Sequence, residues 1–192
     1  MPLSGWNYAP RVIASGPWLD IRRYAGATYK DKLLAAVAFA AGEGGGYTIF
    51  CPAGTYAFTG VETLTLASVS NLRILGESGT VFSFAGGVLA DITTGTEITF
   101  EGLAFSGAVT LNLTLSESIR VQDCQFAGGL NLNGVSSSGT VLAIVTRCRS
   151  LGTVHILPAS EGKIIVSECF LYDGGTILDE GQDTLQFSNI EF

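Results

Sequence analysis

The sequence predicts an all-β solenoid, a parallel β-helix closed on its N-terminal side by one α-helix. Three observations carry that prediction. First, a short phrase with apolar positions on either side of a corner residue returns five times. It reads Phe100-Glu101-Gly102-Leu103-Ala104-Phe105, Val121-Gln122-Asp123-Cys124-Gln125-Phe126, Val145-Thr146-Arg147-Cys148-Arg149-Ser150, Val166-Ser167-Glu168-Cys169-Phe170-Leu171 and Phe187-Ser188-Asn189-Ile190-Glu191-Phe192. The fourth positions lie 21, 24, 21 and 21 residues apart, and a near-constant period of that length marks a solenoid. Second, the copies alternate with period two and are rich in Val, Ile, Leu, Phe and Thr, which is strand chemistry. Third, each of the first four copies runs into glycine (Gly107, Gly128, Gly152, then Gly174-Gly175 behind Asp173) before a second alternating run begins. Those runs are Val109-Thr110-Leu111, Leu130-Asn131-Leu132, Val154-His155-Ile156 and Thr176-Ile177-Leu178, so one coil holds several short strands separated by turns.

In chain order, residues 1–20 contain Trp6, Tyr8 and Trp18 and three of the five prolines, with little periodicity. They predict an extended arm whose rings either fold back on the first coil or anchor in a partner, where Trp and Tyr carry contact energy. Residues 21–192 read as one β-helix domain, since no linker interrupts the pattern and the length suits a single core. Within it, Thr28 and Asp31 form a variant capping box. The following turns put Leu33, Leu34, Val37, Ala38 and Ala41 on one face, and Gly42 is read as the stop. A helix over 28–42 would close the open end of the tube, and coils would fill 47–192. Gly44-Gly45-Gly46 feed the strand Thr48-Ile49-Phe50-Cys51 and a Pro52-Ala53-Gly54 corner. Leu64-Thr65-Leu66, Leu72-Arg73-Ile74-Leu75-Gly76 and Val81-Phe82-Ser83-Phe84 supply a full coil, and Val88 to Ile92 with Ile98 to Phe100 lead into the next.

Stacking the five copies turns columns into physics. The third position holds Gly102, Asp123, Arg147, Glu168 and Asn189; Gly, Asp and Asn tolerate the left-handed backbone of a tight corner, while Arg147 and Glu168 depart from that pattern. The fourth holds Leu103, Cys124, Cys148, Cys169 and Ile190, expected to stack inside the tube. The sixth holds Phe105, Phe126, Ser150, Leu171 and Phe192. The fifth holds Ala104, Gln125, Arg149, Phe170 and Glu191, mostly a solvated face.

The order Tyr24-Ala25-Gly26-Ala27, helix, Gly44-Gly45-Gly46, strand, Pro52-Ala53-Gly54-Thr55-Tyr56 resembles the start of pectate-lyase-like right-handed β-helix proteins, a group that includes polygalacturonases, pectate lyases and phage tailspikes. The resemblance implies a right-handed coil and, for tailspike-type members, a trimeric virion protein. It does not imply catalysis, because the fold serves enzymes and non-enzymes alike. The polygalacturonase strings Asn-Thr-Asp, Asp-Asp, Gly-His-Gly and Arg-Ile-Lys are absent from the chain; Arg73-Ile74-Leu75 is the nearest piece. No acidic cluster falls on aligned strand positions as a calcium-dependent lyase requires. Glycoside hydrolysis usually needs two carboxyl groups about 5–9.5 Å apart; neighbouring coils could provide that spacing, but no column combines an acid, a base and a leaving-group donor.

Composition narrows the partners. A net charge of −7 with ten Lys and Arg argues against nucleic acid, which needs clustered cations. Four cysteines without a CxxC pair, beside one histidine, argue against zinc. Cys124, Cys148 and Cys169 read as free thiols packed as small hydrophobes, because parallel stacked Cβ atoms stand farther apart than a disulfide prefers. No run is long enough to span a bilayer, and no apolar stretch behind a basic start reads as a secretory signal.

After the glycine corner the outward strand positions are Thr110, Asn131, His155 and Thr176 or Leu178, able to hydrogen-bond a sugar. His155 reads as a solvated strand residue with no carboxylate in its column, and Asp179, Glu180 and Asp183 as a solvated acidic turn. The last copy puts Phe187, Ile190 and Phe192 on the inward pattern with no cap behind it, an edge that something must cover. With 14% charged residues, the outer faces are also suited to association. The expectation is therefore a non-catalytic structural protein of a phage particle, made in the host cytoplasm and located in the virion. It would be a homotrimer without cofactor or metal, acting as a capsid decoration protein or small tail appendage. Trp6, Tyr8, Trp18, Phe187, Ile190 and Phe192 would be its partner contacts. The alternative is a glycan-binding or polysaccharide-depolymerising tailspike-type protein; a stand-alone pectin-active enzyme is the third reading.

Overall fold

A computed structural model describes residues 17–58, 64–66, 69–84, 87–93, 97–114, 118–135, 141–150, 152–156, 163–172, 175–180, 185–187 and 190–191. The described strands form three parallel sheets, the faces of a β-solenoid. The first sheet stacks Trp18–Asp20, Thr48–Cys51, Arg73–Gly76, Thr99–Glu101, Ile119–Gln122, Val141–Thr146, Lys163–Ser167 and Leu185–Phe187. The second stacks Gly54–Phe58, Thr80–Phe84, Ala104–Ser106, Gln125–Phe126, Arg149–Ser150, Phe170–Leu171 and Ile190–Glu191. The third stacks Leu64–Thr65, Gly87–Thr93, Val109–Thr114, Leu130–Val135, Val154–Ile156 and Ile177–Asp179. Each coil crosses the three faces in that order.

The core is the inward half of this alternation. Phe100, Val121, Val145 and Val166 are buried from the first sheet, and Phe105, Phe126, Ser150 and Leu171 from the second. Val109, Leu111, Leu130, Leu132, Val154 and Ile156 are buried from the third. Between the first two sheets Leu103, Cys124, Cys148 and Cys169 stack as expected, all buried. The cysteines are free. Each of these three thiols points at the carbonyl two residues behind it, at 3.3 Å. Burial pushes the Cys51 thiol up to about 12. Hydrogen bonding with neighbouring thiols, joined by burial, pushes Cys148 and Cys169 upward too, which keeps them protonated and inert.

Two rows of corners flank the first sheet. Asn71, Glu97 and Ser118 enter it, and Gly102, Asp123, Arg147 and Glu168 leave it, all with positive φ; the six non-glycine values run from 52° to 56°. Arg147 and Glu168, which the sequence reading sets apart, therefore adopt the same left-handed corner as Asp123. A side chain there costs about 1–2 kcal/mol. The next strand compensates by docking: the amides of Gln125, Arg149 and Phe170 each donate to the coil before, at 2.9 Å.

The helix spans Tyr29–Gly42. Its capping box is complete: the Asp31 amide donates to Thr28 Oγ1 at 3.1 Å and the Thr28 amide to Asp31 Oδ2 at 3.0 Å. Leu33, Ala36, Val37 and Ala40 are buried against the first coil, with Leu34 and Ala41 partly buried. Ala38, expected inside, is exposed, because the buried stripe is centred between Leu33 and Val37 and turns position 38 outward. Gly42 is the last helical residue, not the stop. The helix ends in a Schellman turn: Gly44, at φ +84°, donates to the Ala41 carbonyl, and Gly45 to that of Ala40 at 2.8 Å. Gly45 has φ +95°, and a Cβ there would overlap the Ser70 carbonyl.

Two boundaries differ from the sequence reading. The arm does not run through residue 20: Trp18–Asp20 is a strand paired in parallel with Thr48–Cys51, because Leu19 is buried and the Thr48 amide reaches the Pro17 carbonyl. At the other end, Phe187 pairs with Ser167, Ile190 with Phe170 and Glu191 with Leu171. Ile190 thus aligns with the fifth column, not the fourth. Pairing Phe170 with Ile190 makes this coil 20 residues long, one short of the expected period, and sets Gln186 opposite buried Val166, a register that the apolar alternation of Leu185-Gln186-Phe187 does not predict.

Candidate functional site on the third sheet

From Val109 to Asn133 and again over Val154–Ile156, the third sheet turns apolar residues in and polar ones out, so each of these strands offers outward positions two residues apart. Register aligns Thr110, Asn131, His155 and Leu178 in one column. This settles the fourth member as Leu178, exposed, with Thr176 ahead of the strand. A second column, two residues on, aligns Thr65, Asp91, Asn112 and Asn133. Side chains bond from rung to rung: Asn131 Nδ2 donates to Thr110 Oγ1 at 3.3 Å, and Asn133 Nδ2 to Asn112 Oδ1 at 3.2 Å. His155 Nε2 lies 2.8 Å from Glu180 Oε2. His155's column holds no carboxylate, as the sequence indicates, yet one orients the histidine from outside the column. It comes from the residue directly after the next strand, Ile177–Asp179, where the Glu180 amide donates to the Ile156 carbonyl and so carries the parallel ladder on beside His155. Asp183 lies outside the described residues. Among the described residues no group of three His, Cys, Asp or Glu side chains is arranged to hold a metal.

Sequence reasoning missed Asn112, Asn133 and Glu180. The alternation Thr110-Leu111-Asn112 and Asn131-Leu132-Asn133 would have found the first two, since a strand presents every second residue. Glu180 follows the same alternation, two residues beyond Leu178, but it meets His155 diagonally from the next coil, a pairing that a column of aligned residues does not show.

A concavity lies on the corner between the first and second sheets, a shallow groove of about 350 Å³ lined in part by Gly102, Ala104, Asp123, Gln125, Arg147 and Arg149. Arg147 is clamped bidentately to Asp123, Nε–Oδ1 at 2.9 Å and Nη2–Oδ2 at 2.8 Å. Arg73 pairs with Glu101 at 2.7 Å, and Gln122 Nε2 donates to the same carboxylate at 2.6 Å. These charges tie coils together.

Of the expected partner contacts, Trp18 is on the first strand, 41% exposed, its ring centroid 6.4 Å from that of Phe50. Phe187 and Ile190 are in the last described strands. Trp6, Tyr8 and Phe192 lie outside the described residues.

The fold defines a β-solenoid protein with one helix near its N-terminal side. No protein-family model matches the chain, and no curated protein does. Three solved chains match. One, described as "a putative glycosyl hydrolase from Parabacteroides merdae", is similar with a TM-score of 0.50 and 12% identity over 91% of this chain and 96% of that one. Similarity at that identity concerns the fold.

Proposed function

We propose that this chain is a glycan-binding β-helix protein that holds a saccharide on the outer face of the third sheet. The observation that carries the reading is the pair of polar columns bonded from rung to rung, Thr110 with Asn131 and Asn112 with Asn133, beside the His155–Glu180 pair. Amides and hydroxyls both donate and accept, as sugar hydroxyls do. Rungs recur about every 4.8 Å, the length scale of one pyranose ring. The neighbour described as a glycosyl hydrolase supports the ligand class. Cleavage is not part of the reading, since hydrolysis requires two separated carboxyl groups and Glu180 is engaged with the one histidine.

The test is titration of bacterial polysaccharides into the purified protein by calorimetry. Binding is expected for the wild type, with affinity falling at least about tenfold in Asn131→Ala/Asn133→Ala while the β-sheet circular dichroism stays the same. Undiminished affinity in that variant, or no polysaccharide bound by the wild type, would refute it. Release of reducing ends would convert the reading to an enzyme.

A second reading, a non-catalytic homo-oligomeric component of a larger particle such as a virion, is favoured by Ile144 and Ile165. They sit side by side on the outward register of the first sheet, only partly buried, where a free-standing solenoid would carry polar residues.

A further inference from the structure

We propose that the outer face of the capping helix is a self-association surface, on which a second copy of this chain lays its own capping helix antiparallel. From Leu33 to Gly42 the helix has no charged or polar side chain. One side is spent on the core, yet the other is apolar too: Ala38, Phe39 and Gly42 are exposed and Ala35 is half-buried. Phe39 stays 44% exposed although the rings of Tyr24 and Tyr47 stand 6.0 and 5.7 Å from it. A terminal cap ordinarily turns a polar face to water, and a helix apolar all round is a covered helix. Small residues around one aromatic ring suit the close approach of another helix.

The charges say what covers it. Lys30 and Lys32 lie at the N-terminal end of the helix, the positive pole of its macrodipole, and Glu43 caps the negative pole. Each is at the unfavourable end of its own helix. At 3.6 residues per turn, Lys32, Ala35, Phe39 and Gly42 form one stripe that runs up to Glu43. Two copies packed antiparallel about the turn holding Ala38 bring Lys32 of each against the partner's Glu43. The twofold makes that contact twice and sets each helix end against the opposite pole. The face is thus complementary to itself, which commits the occupant to a second copy. One helix face is smaller than a standard interface, so the dimer is weak and concentration-dependent.

Sedimentation velocity on the full chain over a range of concentrations tests this. A monomer–dimer equilibrium that weakens as salt rises is expected. Lys32→Glu and Glu43→Lys should each raise the dissociation constant about tenfold or more by setting like charges across the twofold. An equimolar mixture of the two variants should dimerise again, since each then carries the charge that the other lacks. Circular dichroism checks that both fold. A monomer at every concentration overturns the proposal, as does an oligomer indifferent to both substitutions. If deletion of residues 1–16 alone turns a monomer into a dimer, the chain's own N-terminal segment is the occupant, and the proposal also fails.

Discussion

Arg147 occupies a backbone conformation that disfavours any side chain, at φ 52°. Its guanidinium nevertheless bridges to Asp123 on the preceding coil, another left-handed residue at φ 54°. Both side chains are substantially exposed, 50% and 40%, so the pair contributes only modestly. Glycine at the corner would remove the backbone penalty of about 1–2 kcal/mol and forfeit the ion pair, two effects of opposite sign and similar size. Arg147→Gly should therefore shift stability by less than about 1 kcal/mol. Arg147→Val loses the pair and keeps a β-branched residue at positive φ, so it should destabilise by about 2 kcal/mol or more. Urea midpoints of the two variants check the order; a valine variant as stable as the glycine one would show that the corner is not strained.

At the scale of an element, the capping helix depends on carboxylates near its start. The Thr28 hydroxyl, then the Thr28 amide, hold Asp31 below the usual aspartate range. Asp20, which caps the short 3-10 turn Ile21–Arg23, is lowered chiefly by its bond to the Arg22 side chain. Each carboxyl is more acidic folded than unfolded, so each contributes stability that is complete above the unfolded value of about 3.9. That contribution is lost as pH falls through the lower folded value. Thr28→Ala removes the largest cause at Asp31. The variant should be less stable than wild type at neutral pH, and the gap should narrow as pH falls from about 4 toward about 2. Thermal melts across that window measure it; a gap that widens on acidification would contradict the sign.

Across the whole molecule, one aromatic column runs through the interior from the helix into the second sheet. Tyr29 stacks on Tyr56 at 5.3 Å, Tyr56 meets Phe82 at 4.9 Å, Phe82 meets Phe105 at 5.8 Å, and Phe105 stacks on Phe126 at 4.9 Å with 8° between planes. Beyond Phe126 the column meets Ser150, buried, its hydroxyl donating to the Gly152 carbonyl at 2.8 Å. A solenoid couples each coil only to its neighbours, so this column links the cap to the coils. Phe105→Ala should cost about 3–5 kcal/mol. Hydrogen exchange should accelerate first in the adjoining strands Thr80–Phe84 and Gln125–Phe126, later in the helix Tyr29–Gly42. Uniform acceleration over the chain would mean that the solenoid unfolds as one unit.

What the sequence determined alone is whatever repeats or acts over a few residues: the coil period, the inward columns Leu103-Cys124-Cys148-Cys169 and Phe105-Phe126, the Thr28–Asp31 capping box, and the polar outward positions Thr110, Asn131 and His155. These follow from side-chain alternation and local hydrogen bonding, which the order of residues states directly. Tertiary structure decided the rest, because it depends on which backbone groups meet. Trp18–Asp20 became a strand once Thr48–Cys51 offered it an edge. Arg147 and Glu168 took a glycine-like corner because hydrogen bonds on both sides of the corner outweigh the local cost. The last coil slid by one residue, because backbone pairing of Phe187 with Ser167 and of Ile190 with Phe170 prevailed over the apolar alternation of Leu185-Gln186-Phe187. Glu180 found His155 diagonally across neighbouring coils, so the polar face was legible as a column, while its histidine–carboxylate pair needed the stacking of the coils in three dimensions.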